Sequence, residues 1–205
     1  RPELLSGRFV TLLTSHERTA MRFKSPTSSS FQIFAVTGVN TISFGIKAST
    51  KARKGLLGFA VERIDPAADE RYTMPGFKVF KSLIPRPNQD THVTTWDHPI
   101  QSLVWDDFTA KENHEYEYVF HPIKGKPKNL DRSEKPVSIR VKTEPLFTKG
   151  THDVFFNRGV ASSQAYRRRF GNLSPKDLKP KKRSDEARQW LTRDLDDAIF
   201  QFIRN

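Results

Sequence analysis

The chain has 205 residues, 36% of them hydrophobic and 11% aromatic, with 16 Phe, which suffices for one packed domain of ordinary size plus an appendage and argues against wholesale disorder. It has no cysteine, which excludes a disulfide framework, a thiolate zinc site and a cysteine nucleophile, and fits a reducing, cytoplasmic location. A formal charge of +12 and a pI near 10.0 favour an anionic partner (nucleic acid, an acidic protein or an anionic lipid surface), against the plainer explanation that the charge serves solubility.

Residues 1–30 read as a flexible basic arm. Arg1, Arg8, Arg18, Arg22 and Lys24 face only Glu3 and Glu17, and Ser25, Ser28, Ser29 and Ser30 close the segment. Its one apolar cluster, Phe9, Val10, Leu12 and Leu13, is too short and too polar for a signal peptide. No apolar run in the chain approaches the roughly 20 residues of a membrane span. The sequence does not open with Met, so it is expected to begin inside a longer polypeptide.

Residues 31–145 change character. Short runs rich in β-branched and aromatic residues recur between turn signals, the pattern of an all-β sandwich. Strands are expected at 31–36 and, after the turn Gly38–Val39–Asn40, at 41–48. In the second of these Ile42, Phe44 and Ile46 share one face. At 57–64, Leu57, Phe59, Val61 and Arg63 alternate with Gly58, Ala60, Glu62 and Ile64. A shorter strand is expected around Phe77, Val79 and Leu83, and another at 99–105. At 115–122 Tyr116, Tyr118 and Phe120 share a face, and at 137–143 Val137, Ile139 and Val141 do so, with Arg140 and Lys142 outward. Trp96 and Trp105 are expected in the core or at its rim.

Residues 146–183 form a connecting segment, with a short helix expected over 162–170 followed by a Pro/Lys-rich stretch. Residues 184–205 give an amphipathic helix. Ala187, Trp190, Leu191, Leu195, Ala198, Ile199, Phe202 and Ile203 fall at three- and four-residue steps, Ser184 stands as N-cap, and Asp185 and Glu186 suit the positive end of the helix dipole. The apolar stripe needs a surface to cover it.

The run 115–120, Glu-Tyr-Glu-Tyr-Val-Phe, resembles the penultimate strand of a fibronectin type III-like or immunoglobulin-like β-sandwich. By that likeness Tyr116 is a corner residue whose hydroxyl bonds nearby backbone. A second resemblance is more specific. His152-Asp-Val-Phe-Phe-Asn-Arg-Gly-Val160, continuing Ala161-Ser-Ser-Gln-Ala-Tyr-Arg-Arg-Arg-Phe-Gly171, is similar to the connecting segment of bacterial phospholipase D-like proteins whose front half carries a fibronectin-like domain. The stretches 55–63, 97–102, 105–110 and 190–199 look similar to them as well. The likeness implies a non-catalytic accessory role beside a downstream phospholipase D-like catalytic domain or subunit. In that family His-x-Lys-x-x-x-x-Asp motifs do the chemistry, with one histidine attacking phosphorus and another protonating the leaving group. None of His16, His92, His98, His114, His121 and His152 has Lys two positions later. No catalytic residue therefore carries over, and an intrinsic phosphodiesterase (lipase or nuclease) is not expected of this chain.

The basic stretch is the strongest binding candidate. Arg167, Arg168, Arg169, Lys176, Lys179, Lys181, Lys182 and Arg183 are opposed only by Asp177 between residues 166 and 183, a density that would contact phosphates and give salt-dependent binding to nucleic acid. Tyr166 and Phe170 beside it are candidates to stack on bases. Against this stands the plainer alternative of a solvated linker. Phe155, Phe156, Asn157, Arg158, Gln164 and Tyr166 read as a domain junction, with the two phenylalanines as packing anchors. His92, Asp97, His98, Asp106 and Asp107 are metal-ligand types without metal-ligand spacing, so no metal and no cofactor is expected. Asp97–His98–Pro99 reads better as a turn, and no hydrolase or phosphate-loop motif occurs.

Overall fold

The computed structural model describes residues 21–27, 30–88, 90–147, 163–192 and 195–204. Over them the chain is mainly β, with a helical C-terminal segment. In order the elements are β1 (Arg22–Lys24), β2 (Phe31–Thr37), β3 (Ile42–Ala48), α1 (Thr50–Arg53), β4 (Leu56–Asp65), β5 (Glu70–Thr73), β6 (Pro75–Gly76), β7 (Val93–Thr94), β8 (Val104–Asp107), β9 (Glu115–Lys126), β10 (Asn129–Asp131), β11 (Val137–Lys142), α2 (Gln164–Phe170), a 3₁₀ turn (Pro175–Asp177), α3 (Lys181–Thr192) and α4 (Leu195–Arg204). Among the described residues no helix is long and apolar enough to cross a membrane.

The strands form two antiparallel sheets and a small β6–β7 pair. One sheet has the order β1-β2-β3-β8; the other runs β10-β9-β4-β5, with β11 also paired to β9. The period-two alternation decides the register. Ile33 lies opposite Ile46 and Ala35 opposite Phe44 across β2–β3, while Ile139 lies opposite Tyr118 and Val141 opposite Tyr116 across β9–β11. All of these side chains are buried, each sheet turning its own towards the other. Together with Phe31, Ile42, Phe59, Val61, Phe120 and Val137 they form one buried cluster fed by both sheets. Phe31 meets Phe59 edge-on at 5.3 Å, and Phe44 meets Tyr118 at 4.7 Å and Phe120 at 5.2 Å, so the aromatic rings tie one sheet to the other. Full burial of each is worth about 1.5–3 kcal/mol. Tyr116, the second residue of β9, is buried, and its hydroxyl accepts the Lys111 amide at 2.9 Å.

The edge of β4 is closed by the chain between β5 and β8. The Met74 amide donates to Val61 O at 2.8 Å, the Val61 amide donates to Thr95 Oγ1 at 3.0 Å, and Phe59 and Ile100 exchange amide hydrogen bonds at 3.0 and 2.8 Å. This close approach dictates Gly58. Its φ is +147°, and a Cβ there would stand 2.2 Å from the Ile100 carbonyl oxygen.

Four expectations from the sequence are corrected. The strand expected around Phe77, Val79 and Leu83 does not form: 77–83 is loop, with Phe77 and Leu83 exposed, and Pro85 and Pro87, which lack the amide a ladder needs, follow it directly. The segment read as an arm ends in a strand, Arg22–Lys24, paired to β2; residues 1–20 lie outside the described residues. Ser184 is no N-cap. α3 starts at Lys181, directly after Pro180, whose carbonyl accepts the Arg183 amide at 2.9 Å, and Ser184 is buried one turn in; a fixed proline φ is pre-organised for a helix start. The single helix expected over 184–205 is described as α3 and α4, with 193–194 between them outside the described residues.

Candidate anion-binding surface

The basic stretch is organised by α2. Ser163 caps the helix, its hydroxyl accepting the Tyr166 amide at 3.1 Å, and Gly171 closes it in the left-handed region at φ 66°, its amide donating to Arg167 O at 2.7 Å. The four-residue step then points Tyr166 and Phe170 inward together, ring centroids 4.9 Å apart. With Leu178 and Ala187 they form a small second core, against which Trp190 and Leu191 pack. The Tyr166 hydroxyl donates to Leu173 O at 2.8 Å. At 2% and 1% exposure these two rings cannot reach a base, which overturns the expectation that they stack on nucleic acid.

The same helical period turns the arginines outward. Arg168 and Arg169 are exposed and Arg167 is half-buried. Arg169 lies over the Phe170 and Trp190 rings at 5.6 and 5.7 Å and is 3.5 Å from Glu186 Oε2. Arg183 donates to Arg169 O at 3.0 Å. Lys176, Lys179, Lys181 and Lys182 are exposed, and no carboxylate among the described residues lies within ion-pair distance of them. Arg167–Arg169 occupy the last turn of α2, where cations complement the dipole; Lys181–Arg183 occupy the first turn of α3, which has no acidic residue, and there cations oppose it at about 0.3–1 kcal/mol each. Positive potential is therefore concentrated where the two segments meet.

The sequence reading missed half of this surface. The Arg168 guanidinium lies 2.9 Å from His92 Nδ1. A guanidinium only donates, so Nδ1 accepts. That bond joins α2 to the loop 77–92, whose Lys78, Lys81 and Arg86 are all exposed. The loop is pinned by His98, whose Nδ1 accepts the Phe80 amide at 3.0 Å, and by the β6–β7 pair. Nothing in sequence spacing links residue 92 to residue 168. The only signal was the charge of the 77–92 segment itself, which the expected strand obscured. No protein-family model and no curated protein matches this chain.

Of the expected junction residues, Tyr166 is core of the helical segment and Gln164 opens α2, while Phe155, Phe156, Asn157 and Arg158 lie outside the described residues.

A second polar constellation lies inside the β region. Arg63, on the inner face of β4, donates from Nη1 to Asp107 Oδ2 and to Thr109 Oγ1, both at 2.8 Å, and the Tyr118 hydroxyl donates to the same Asp107 oxygen at 2.7 Å. Asp107 Oδ1 accepts the Thr109 amide and hydroxyl at 2.7 Å each. The guanidinium lies 5.0 Å from the Tyr72 ring centroid and 4.9 Å from that of Tyr116. Burial works against the Arg63 charge, but Asp107 outweighs it and holds the guanidinium above its ordinary range; burial and then Asp107 push the Tyr118 hydroxyl far up. Both Asp107 oxygens are engaged twice, so the cluster is closed to an incoming substrate and its work is structural. Beside it His114 Nε2 lies 2.7 Å from Asp65 Oδ1 and Lys111 Nζ 3.3 Å from Oδ2. Burial would raise the Asp65 carboxyl, but His114, Lys111 and the Ala68 amide pull it down to about 2.

Four of the metal-ligand residue types noted in the sequence are separately engaged: His92 with Arg168, His98 with the Phe80 amide, Asp97 3.5 Å from Arg132, and Asp107 with Arg63. His121 Nε2 lies 2.8 Å from Glu62 Oε2, which also takes Arg71 at 2.7 Å; Arg71, countered by burial and helped by His121, holds Glu62 below the ordinary carboxylate range. Trp105 packs against the core, whereas Trp96 is half-buried over His121, their centroids 5.1 Å apart.

Proposed function

We propose that this chain is a non-catalytic accessory module of the reducing cytoplasm that positions a phospholipase D-like phosphodiesterase, with a fibronectin type III-like or immunoglobulin-like sandwich as its body. Two features support the sandwich. The orders β2-β3-β8 and β4-β9-β11 correspond to A-B-E and C-F-G of the immunoglobulin-like plan, with β5 beside the C strand. The Tyr116 hydroxyl on the Lys111 amide is the bond a tyrosine corner makes at the start of strand F.

The observation that carries the role is α4. Leu195, Ile199, Phe200, Phe202 and Ile203 are 38–85% exposed, an apolar face of the size that marks a docking surface. On this reading it is covered by the catalytic domain. Reading the gene beyond codon 205 tests it first: His-x-Lys-x-x-x-x-Asp motifs are expected downstream, and an immediate stop codon would remove the proposal. In the parent protein, Phe202→Asp combined with Ile203→Asp is expected to lower hydrolysis of a model phosphodiester at least ten-fold, while the 205-residue chain alone shows none. A second reading, a basic nucleic-acid-binding module, is favoured by the exposed cations gathered around α2 and α3.

A further inference from the structure

Two segments far apart in sequence each carry exposed cations with no carboxylate within ion-pair distance among the described residues. Lys78, Lys81 and Arg86 lie on the 77–92 loop; Lys176, Lys179, Lys181 and Lys182 lie between α2 and the start of α3. All are exposed, and the Arg168–His92 bond at 2.9 Å connects the two segments. The acidic side chains interspersed are Asp90, Asp177, Asp185 and Glu186, of which Glu186 is beside Arg169.

We propose that the loop and the helical segment form one composite cationic surface that grips the phosphate backbone of duplex nucleic acid. This deepens the nucleic-acid reading above and rests on it. Single strands are held by rows of exposed rings on which bases stack, yet Tyr166 and Phe170 are buried. Phe77, 72% exposed, is one ring on one segment. A lipid surface calls for apolar side chains that outreach the cations over the whole face; here the large apolar side chains exposed beside the cations are Phe77 and Leu83 on the loop and Leu173 on the helical half, single side chains among the lysines and arginines. What remains is a broad set of flexible ammonium and guanidinium groups without a stacking platform, which suits a helix carrying one negative charge per about 1.7 Å. The arrangement reads phosphate and not base edges, so binding is sequence-independent.

Fluorescence anisotropy of the full chain with a labelled 20-base-pair duplex, titrated between 50 and 300 mM salt, tests this. The expected plot of log affinity against log salt has a slope of about −5, near −0.9 for each phosphate engaged. Lys78→Gln/Lys81→Gln/Arg86→Gln and, separately, Lys179→Gln/Lys181→Gln/Lys182→Gln should each weaken binding at least ten-fold at 50 mM salt and flatten the slope by about 3. The pair Lys47→Gln/Lys51→Gln, on β3 and α1, should change it less than three-fold. Circular dichroism establishes that each variant keeps its fold. Wild-type affinity in the loop variant would overturn the composite surface while leaving the helical stretch as a binding segment. Absence of salt-dependent binding by the wild-type chain would overturn both. Tighter binding to a single strand of equal length, or to vesicles containing phosphatidylserine with none to duplex, would overturn the choice of partner.

Discussion

Replacing Asp107 by leucine removes the counter-charge of a largely buried guanidinium. The Asp107 side chain is 1% exposed and that of Arg63 is 10% exposed. Breaking a buried pair from one side costs about 3–5 kcal/mol, because the remaining charge stays desolvated. Three effects modify that figure here. The Tyr72 and Tyr116 rings flank the guanidinium and return about 0.5–1 kcal/mol each, whereas the Tyr118 hydroxyl loses its acceptor at about 1–3 kcal/mol. Those two nearly cancel, but the Thr109 amide and hydroxyl also lose Asp107 as acceptor, so Asp107→Leu should cost at least about 3–5 kcal/mol. The triple variant Arg63→Met/Asp107→Leu/Tyr118→Phe removes charge, counter-charge and orphaned hydroxyl together, and should return to within about 2 kcal/mol of the wild type. Equilibrium unfolding in urea, followed by circular dichroism in the strand region, measures both, provided the slope m is unchanged. A cost below about 1 kcal/mol for the single variant, or a triple variant no more stable than it, would refute this account of the buried cluster.

Acid stability offers a second prediction. The Asp65 carboxyl is drawn from 3.8 down to about 2, so the unfolded chain binds this proton at a higher pH than the folded one. Its contribution is therefore complete above about pH 4 and is lost as pH falls from 4 towards 2, amounting to at most about 2 kcal/mol after solvent screening. Asp65→Asn should be the less stable protein at pH 7 and should flatten the loss of stability below pH 4; a parallel pH profile would contradict it. Gly58→Ala forces a Cβ against the Ile100 carbonyl at a φ hostile to side chains, and should lower Tm by roughly 5–10 °C in a thermal melt, the effect of about 2–4 kcal/mol of strain. An unchanged Tm would mean that the loop does not close on β4 as described.

Much of the β region was legible because alternation is a strong local signal. Ile42-x-Phe44-x-Ile46, Tyr116-x-Tyr118-x-Phe120 and Val137-x-Ile139-x-Val141 all turn the expected face inward. The alternation even placed Arg63 with Phe59 and Val61, and a charge in an apolar row was the visible sign of the Arg63–Asp107 pair; its partner lies 44 residues away, beyond the reach of any periodicity. Phe77, Val79 and Leu83 imitated a strand because hydrophobicity alone does not report whether a neighbouring ladder is free. The helical segment was half-read. Its cations were plain, but whether Tyr166 and Phe170 faced solvent depended on Leu178 and Ala187 arriving to cover them, and the loop's share of the surface rests on a contact between residues 92 and 168.

The two cores among the described residues are unequal. That of the strands gathers more than a dozen side chains around Phe44, Phe59, Tyr118 and Phe120; that of the helices rests on Tyr166, Phe170, Leu178 and Ala187. At about 1.5–3 kcal/mol for each large apolar side chain, the smaller cluster falls well short of the entropy lost in ordering the segment that contains it. Amide hydrogens of β9 should thus exchange only when the strands unfold as a whole, while those of α2 and α3 open far more often. Proteases would meet the polypeptide first at its helices, and whatever touches the arginines there also decides how long those helices last.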